Sequence, residues 1–227
     1  MNAEIEQTNK GWWVIKGDTH IGKWVKQNER LDFDQNALPF ILAYLKPGDW
    51  VIDAGANIGA YSFAFLHKVG LNGKVICFEP NPIAFECLYK NIGNHPNCFP
   101  FHSFLSNKIS EYEIVNETQN FGMAYGKESD KNKGICSTYI DALDLEKLDF
   151  IKIDVEGMEL EVLEGASKTI ERFNPVMYIE INEATLSRNN SNKQAIFDFL
   201  DEHGYSYKNI YPGQEMTGEQ FDIICTK

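Results

Sequence analysis

Two carboxylates stand where apolar runs end. Trp50-Val51-Ile52-Asp53-Ala54 and Lys74-Val75-Ile76-Cys77-Phe78-Glu79 each read as a short buried strand closing on an acid. The turn after the first is Gly55-Ala56-Asn57-Ile58-Gly59, in which Gly55 and Gly59 permit a tight bend and close approach of backbone to a ligand. The helix expected next offers unpaired N–H groups. A dinucleotide fingerprint in register with Gly55 would need glycines at 57 and 60, but the chain has Asn57 and Ala60. An acid at Asp53 repels a diphosphate and attracts a cationic group such as an amino-acid ammonium. Glu79 offers two acceptor oxygens, enough for both hydroxyls of a ribose. Together these residues ask for a nucleoside with a positive, non-phosphate substituent, and S-adenosylmethionine meets that description.

A second constellation is Phe150-Ile151-Lys152-Ile153-Asp154-Val155-Glu156-Gly157. Lys152 and Asp154 alternate with apolar residues on a strand expected to be buried, where an unpaired charge is costly. Asp154 falls at the strand's carboxyl end, and Glu156 is read as opening the next helix, where negative charge is favourable. Glu180, near the end of Val176-Met177-Tyr178-Ile179-Glu180-Ile181-Asn182, is a third acid able to converge with them. Such a group suits a general base. It also suits a divalent metal held by oxygen ligands, magnesium or calcium, a reading we do not favour. His20 is a candidate for substrate contact, whereas His102 reads as a satisfied strand residue. Trp12, Trp13 and Trp24 suit either a sugar face or simple packing.

The elements that must position these groups follow from periodicity. Gly11–Lys16 and Ile21–Lys26 read as two strands of a hairpin around Gly17-Asp18, and residues 35–45 as a helix capped by Asp34. Strands then alternate with helices: 50–54, helix 60–69, 74–79, helix 82–92, 98–104, 150–155, one long helix 156–173, 176–182, helix 193–203, 205–211 and 221–226. Near-continuously apolar strands in this alternation mean a parallel sheet covered on both faces. Residues 107–135 are polar and glycine-rich and suit an excursion outside the sheet. The last two strands have no helix between them, which favours an antiparallel final strand.

Composition narrows the classes. With Lys plus Arg at 21 and Asp plus Glu at 33, the net charge is −12, the wrong sign for gripping nucleic-acid phosphates. No apolar run reaches the roughly 18 residues of a membrane span, and the acidic first residues do not resemble a signal peptide, so a cytoplasmic protein is expected. Five cysteines without a C-x-x-C pair read as reduced thiols rather than as a disulfide frame or a metal ribbon.

Val51–Ser62, Val75–Pro82 and Ile151–Ala166 resemble three motifs of the FkbM family of S-adenosylmethionine-dependent methyltransferases, the third being the most distinctive. The resemblance runs from about Asp49 to Asn182. It implies an α/β fold with a three-layer, doubly wound, seven-stranded, mostly parallel sheet. It also implies methyl transfer to a hydroxyl, often of a sugar or secondary metabolite. By resemblance, Asp53, Gly55, Ala56, Asn57, Ile58 and Gly59 hold the methionine end, and Glu79, Pro80 and Asn81 the ribose. Leu105, Ser106 and Asn107 stand where relatives contact adenine. Asp154 is expected beside the methyl group, with Asp154 or Glu156 as base and Lys152 as a catalytic partner that holds a carboxylate or steadies the developing alkoxide. His20, Trp24 and Glu180 are assigned weakly to the acceptor, a small molecule or glycan, and no metal is assigned. Residues 1–48 read as an elaboration over the site and 49–227 as the methyltransferase domain. N- or carboxyl-methylation on the same fold is an alternative. N-methyltransferases of the N/D-P-P-Y/F type need a sequence that Asp154-Val155-Glu156-Gly157 does not supply. A NAD-dependent oxidoreductase and a non-catalytic binding module are the remaining rivals.

Overall fold

A computed structural model describes residues 4–116, 120–129 and 134–227. In chain order the strands and helices are β1 (Ile5–Gln7), β2 (Trp13–Ile15), α1 (Ile21–Asn28), α2 (Leu38–Leu42), β3 (Trp50–Ala54), α3 (Ala60–Val69), β4 (Lys74–Phe78) and α4 (Pro82–Ile92). They continue with β5 (Cys98–Phe101), β6 (Phe104–Leu105), β7 (Glu111–Val115), β8 (Tyr125–Glu128), β9 (Ile135–Thr138), β10 (Phe150–Ile153), α5 (Glu159–Glu164) and α6 (Ser167–Phe173). The last are β11 (Val176–Asn182), α7 (Glu183–Leu186), α8 (Lys193–Glu202), β12 (Ser206–Asn209) and β13 (Gln220–Thr226).

Seven strands form the central sheet in the order β12-β13-β11-β10-β3-β4-β5. Its neighbours pair in parallel except that β13 runs antiparallel to both β11 and β12. Strand order therefore reverses between β3 and β10, the switch point at which an open α/β sheet leaves a crevice beyond its carboxyl ends. Alternate side chains feed two cores. Val51, Val75, Cys77 and Phe150 pack with Phe65 and Leu88 of α3 and α4 on one face; Ile52, Ile76, Ile151 and Ile179 pack with Val162, Ile170 and Ile196 of α5, α6 and α8 on the other. Burial of both faces is why these strands are apolar nearly throughout.

The N-terminal segment differs from the expected hairpin. β2 pairs with β1, Trp13 opposite Gln7, while Ile21–Asn28 is a helix rather than the second strand. The Asp18 carboxylate accepts from the Gly22 N–H at 2.6 Å, starting a helix whose Gly22 and Val25 turn inward. The following helix is shorter than expected, 38–42, with Asp34 accepting from the Ala37 N–H. Val14, Ile15, Val25, Leu31 and Ile41 belong to the same core as α3 and α4. Asn91 of α4 fastens the segment by hydrogen bonds with the Trp13 N–H and carbonyl and with the Ile58 carbonyl.

Two further differences have local causes. The expected strand 98–104 splits, and Phe104–Leu105 leaves to join β9, β7 and β8 in a second sheet. Of the polar stretch 107–135, residues 117–119 and 130–133 lie outside the described residues, and β7 and β8 with the start of β9 belong to a small β-layer beside the main sheet. The expected helix 156–173 starts only at Glu159, because Glu156 (φ 55°) and Gly157 (φ 109°) adopt left-handed backbone, and it breaks at Gly165-Ala166. A Cβ at Gly165 would lie 2.1 Å from the Ser106 carbonyl oxygen, so that position seats the second sheet against the helix layer.

Gly165→Ala should therefore lower unfolding stability by about 2–4 kcal/mol in urea titration, an overpacking cost against rigid backbone. Gly213→Ala, a left-handed position with nothing within 4 Å of the added carbon, should cost about 1 kcal/mol.

Candidate active site

At the switch point the backbone closes on itself. The Gly55 and Ala56 N–H groups donate to the Phe78 carbonyl, tying the end of β3 to that of β4. Gly55 has φ 79°, and a Cβ there would stand 1.8 Å from the Asp154 carbonyl oxygen. Only glycine lets the two strand ends meet so closely.

Below this turn lies a buried ion cluster. Lys152, 1 % exposed, places Nζ 3.3 Å from Asp53 Oδ1 and 3.3 Å from Asp154 Oδ2, and donates to the Gly55 carbonyl at 3.1 Å. Asp53 is fully buried; its Oδ2 accepts from Ser62 Oγ at 2.5 Å, while its Oδ1 has Lys152 as an ionic neighbour without a directed hydrogen bond. Burial acts against the Lys152 charge, but Asp154 and Asp53 outweigh it and hold the ammonium protonated. Burial likewise opposes the Asp154 charge, and Lys152 beside it brings the carboxyl below its ordinary pKa.

A cavity of about 660 Å³ opens above this cluster, within the range of small-molecule and cofactor sites. Gly55, Ala56, Asn57, Glu79, Pro80, Asn81 and Leu105 line one part, and Lys152, Asp154, Glu156 and Glu180 another. Glu79 is anchored by two backbone donors, the Asn57 N–H at 2.7 Å and the Asn81 N–H at 2.8 Å, one on each oxygen. Each oxygen keeps a second lone pair for a hydroxyl of a ligand. Burial raises the Glu79 pKa to about 7.

The expected site residues do not all reach the cavity. Asp53 lies beneath it, and Ile58 and Gly59 pack behind the turn. Ser106 is buried against the Tyr112 hydroxyl, and Asn107 is exposed and donates to Glu164. Trp24 packs edge-on against Phe33, Trp12 against Phe63, and Lys90 stands over Trp13, so none of these tryptophans lines the cavity. His20 does, at the rim, with its ring edge-on to Phe33.

Other lining residues were not anticipated. Asp34, Tyr61, Tyr178, Asp222 and the 120–126 stretch all contribute. The Tyr61 hydroxyl donates to Asp34 at 2.7 Å, and Tyr178 lies close to Asp222. Asp222 carried a signal in the sequence, an acid inside Phe221-Asp222-Ile223-Ile224-Cys225 like Asp154 in its own strand. Asp34 carried none, since it sits in a loop brought over the site only by the fold.

The carboxyls interact strongly. Glu180 is raised to about 10, chiefly by the Asp154 charge and then by burial. Burial, then Asp154 and Glu159, push Glu156 up to about 8. Among the described residues no group of three or more His, Cys, Asp or Glu side chains is arranged to hold a metal ion. Nor is any helix among them long and apolar enough to cross a membrane.

Comparisons with known proteins add to this geometry. The model of the Methyltransferase FkbM domain matches residues 53–207, more than half of the chain. The chain is 27% identical over 154 residues to the hexuronic acid methyltransferase AglP of Haloferax volcanii, covering 66% of this chain and 62% of that protein. It is 28% identical over 166 residues to the methyltransferase sdnD of Sordaria araneosa, covering 56% of this chain and 64% of that one. It thus spans just over three fifths of these relatives. Among solved structures it is similar to a methyltransferase FkbM from Methylobacillus flagellatus, with a TM-score of 0.52 and 15% identity over 83% of this chain and 50% of that chain. That likeness concerns the fold.

Glu159 gives a test of the cluster's burial. It is 2 % exposed, one oxygen accepts from the Val155 and Gly157 N–H groups, the other has no partner, and burial raises its pKa from 4.5 to about 7. The folded state therefore binds this proton more tightly than the unfolded chain. The stabilisation is complete below about pH 4.5 and is lost as pH rises through about 7. Glu159→Gln should flatten the fall in stability between pH 5 and 8 by about 3 kcal/mol, read from denaturant midpoints across pH.

Proposed function

The chain belongs to the Methyltransferase FkbM domain family, and on that premise we propose that it is an S-adenosylmethionine-dependent methyltransferase acting on a hydroxyl of a sugar or hydroxylated metabolite. The observation that carries the reading is the junction of two half-sites in one cavity. One half is the Gly55–Asn57 turn with the doubly anchored Glu79; the other is the set of carboxyls at the ends of β10 and β11.

The first half fits the cofactor. Glu79 would hold the ribose hydroxyls, the glycine turn would admit the methionine end against bare backbone, and Leu105 would lie against the adenine. When bound, the cofactor supplies a methyl group already activated on a sulfonium, so the protein has to align an acceptor and manage one proton. Asp53 serves this site from below, by fixing Lys152, rather than by touching the ligand.

The second half handles the acceptor. Asp154, kept ionised by Lys152, accepts a hydrogen bond from the acceptor hydroxyl and orients its oxygen. Glu156 takes the proton. Its raised pKa makes it the stronger base of the two, and a base works best when its pKa lies near the working pH. Its left-handed backbone at φ 55° aims the side chain from the β10–α5 turn, a strained conformation of the kind that persists where the surroundings over-determine it. Residues 1–48 would complete the acceptor side through His20, Phe33 and Asp34.

The reading is tested by S-adenosylhomocysteine release from labelled donor over a panel of neutral sugars, amino sugars, uronates and phenolics. Asp154→Asn should lower kcat by about 10²-fold or more with cofactor affinity kept within a few-fold. Glu79→Ala should instead weaken cofactor binding by about 10-fold or more in calorimetry, the loss of two charge-assisted hydrogen bonds. Turnover should rise with pH through about 8 as Glu156 ionises, and Glu156→Gln should remove that limb. Unchanged turnover in both Asp154→Asn and Glu156→Gln would remove these carboxyls from the reaction.

A further inference from the structure

Three acids lie level across three neighbouring strands. Glu180 on β11 stands directly opposite Asp222 on β13. Asp154 follows Ile153, which pairs with Ile179, so it lies level with Glu180 on the other side. Carboxyls directly opposite one another destabilise a sheet when both are ionised, and here two such contacts run side by side. From across the cavity Asp34 adds a fourth carboxyl, held by the Tyr61 hydroxyl and the Ala37 N–H.

Nothing cationic among the described lining residues balances this row except Lys152 and the rim residue His20. Lys152 is already paired with Asp53 and Asp154 from below. A shallow groove of about 530 Å³ leads outward over Tyr211 and Gln214, which it shares with the cavity, past Gln35, Asn36, Pro39 and Phe40. These six residues carry no charge. An entering anion therefore meets carboxyls inside and no cation in the groove.

We propose that this half of the cavity admits only acceptors without negative charge at the methylated unit, and that Asp34 and Asp222 impose the rule. The inference rests on the methyl-transfer reading and adds the acceptor class, a neutral or amine-bearing polyol rather than a uronate or a phosphorylated sugar. Protonated Glu180 both donates and accepts hydrogen bonds, which suits hydroxyls, and the ionised members suit an ammonium. One ionised carboxylate about 6 Å from an entering anion, at an effective dielectric constant of about 20, suffices for a discrimination of about 100-fold.

The test uses two small hydroxylated probes of opposite charge, ethanolamine and glycolate, titrated by NMR at pH 7.5 into the full chain saturated with S-adenosylhomocysteine. Ethanolamine should bind at least about 30-fold more tightly than glycolate. Asp222→Asn, which removes a like charge without changing shape, should narrow that ratio by about 10-fold, as should Asp34→Asn. Equal binding of the two probes, no binding of ethanolamine, or a ratio unmoved in both variants overturns the charge rule while leaving methyl transfer intact. Failure of S-adenosylhomocysteine to saturate the protein at all overturns the methyl-transfer reading, and this inference with it.

Discussion

Lys152 puts an ammonium group beneath the carboxyl ends of the central strands, with essentially no water around it. Its polar contacts, Asp53, the Ala54 and Gly55 carbonyls and Asp154, lie in or just beyond the two strands flanking the switch point. Removing one partner of such a buried pair costs about 3–5 kcal/mol, because the other charge is left without compensation. The cluster therefore sets the height and register of the glycine turn relative to β10. That register fixes where Asp154 faces the cavity.

Charge is distributed vertically in this site. The lowest layer, Asp53 with Lys152, is closed off and serves structure. The next, Asp154, is ionised because Lys152 lies beneath it, yet a third of its side chain stays open to the cavity. The upper acids, Glu156, Glu180 and Asp222, have no such partner and move toward the protonated form. One cation thus divides a set of chemically similar carboxyls into an anchored anion and a group of proton carriers. Environments that push the pKa values of neighbouring acids apart are how a site separates its acid and base roles.

The cavity's walls come from three unrelated parts of the chain. The strand ends supply the polar floor, the N-terminal segment supplies Phe33 and Asp34, and the second sheet supplies Tyr125 and Gly126. The first is constrained by the central sheet. The other two are insertions joined to it through Asn91 and through the close approach at Gly165.

The sequence by itself determined the central sheet and which strand ends carry acids. Apolar runs closing on Asp53, Glu79 and Asp154 read as buried strands, and a sheet buried on both faces leaves their carboxyl ends at one edge. The antiparallel last strand was legible for the same reason, since a helixless connection cannot cross over. Only the tertiary structure decided which acids face the cavity and which lie beneath it. Asp53 and Asp154 look alike in sequence, and their roles diverge because Lys152 and Ser62 enclose one and the cavity opens on the other. Ile21–Asn28 shows the same limit: its pattern suited a strand, but the hydrogen bond from the Gly22 N–H to Asp18 and the packing of Gly22 and Val25 made it a helix. Asp34 and Asp222 lie 188 residues apart in the chain. Their meeting over one cavity depends on long-range packing, which no local spacing encodes.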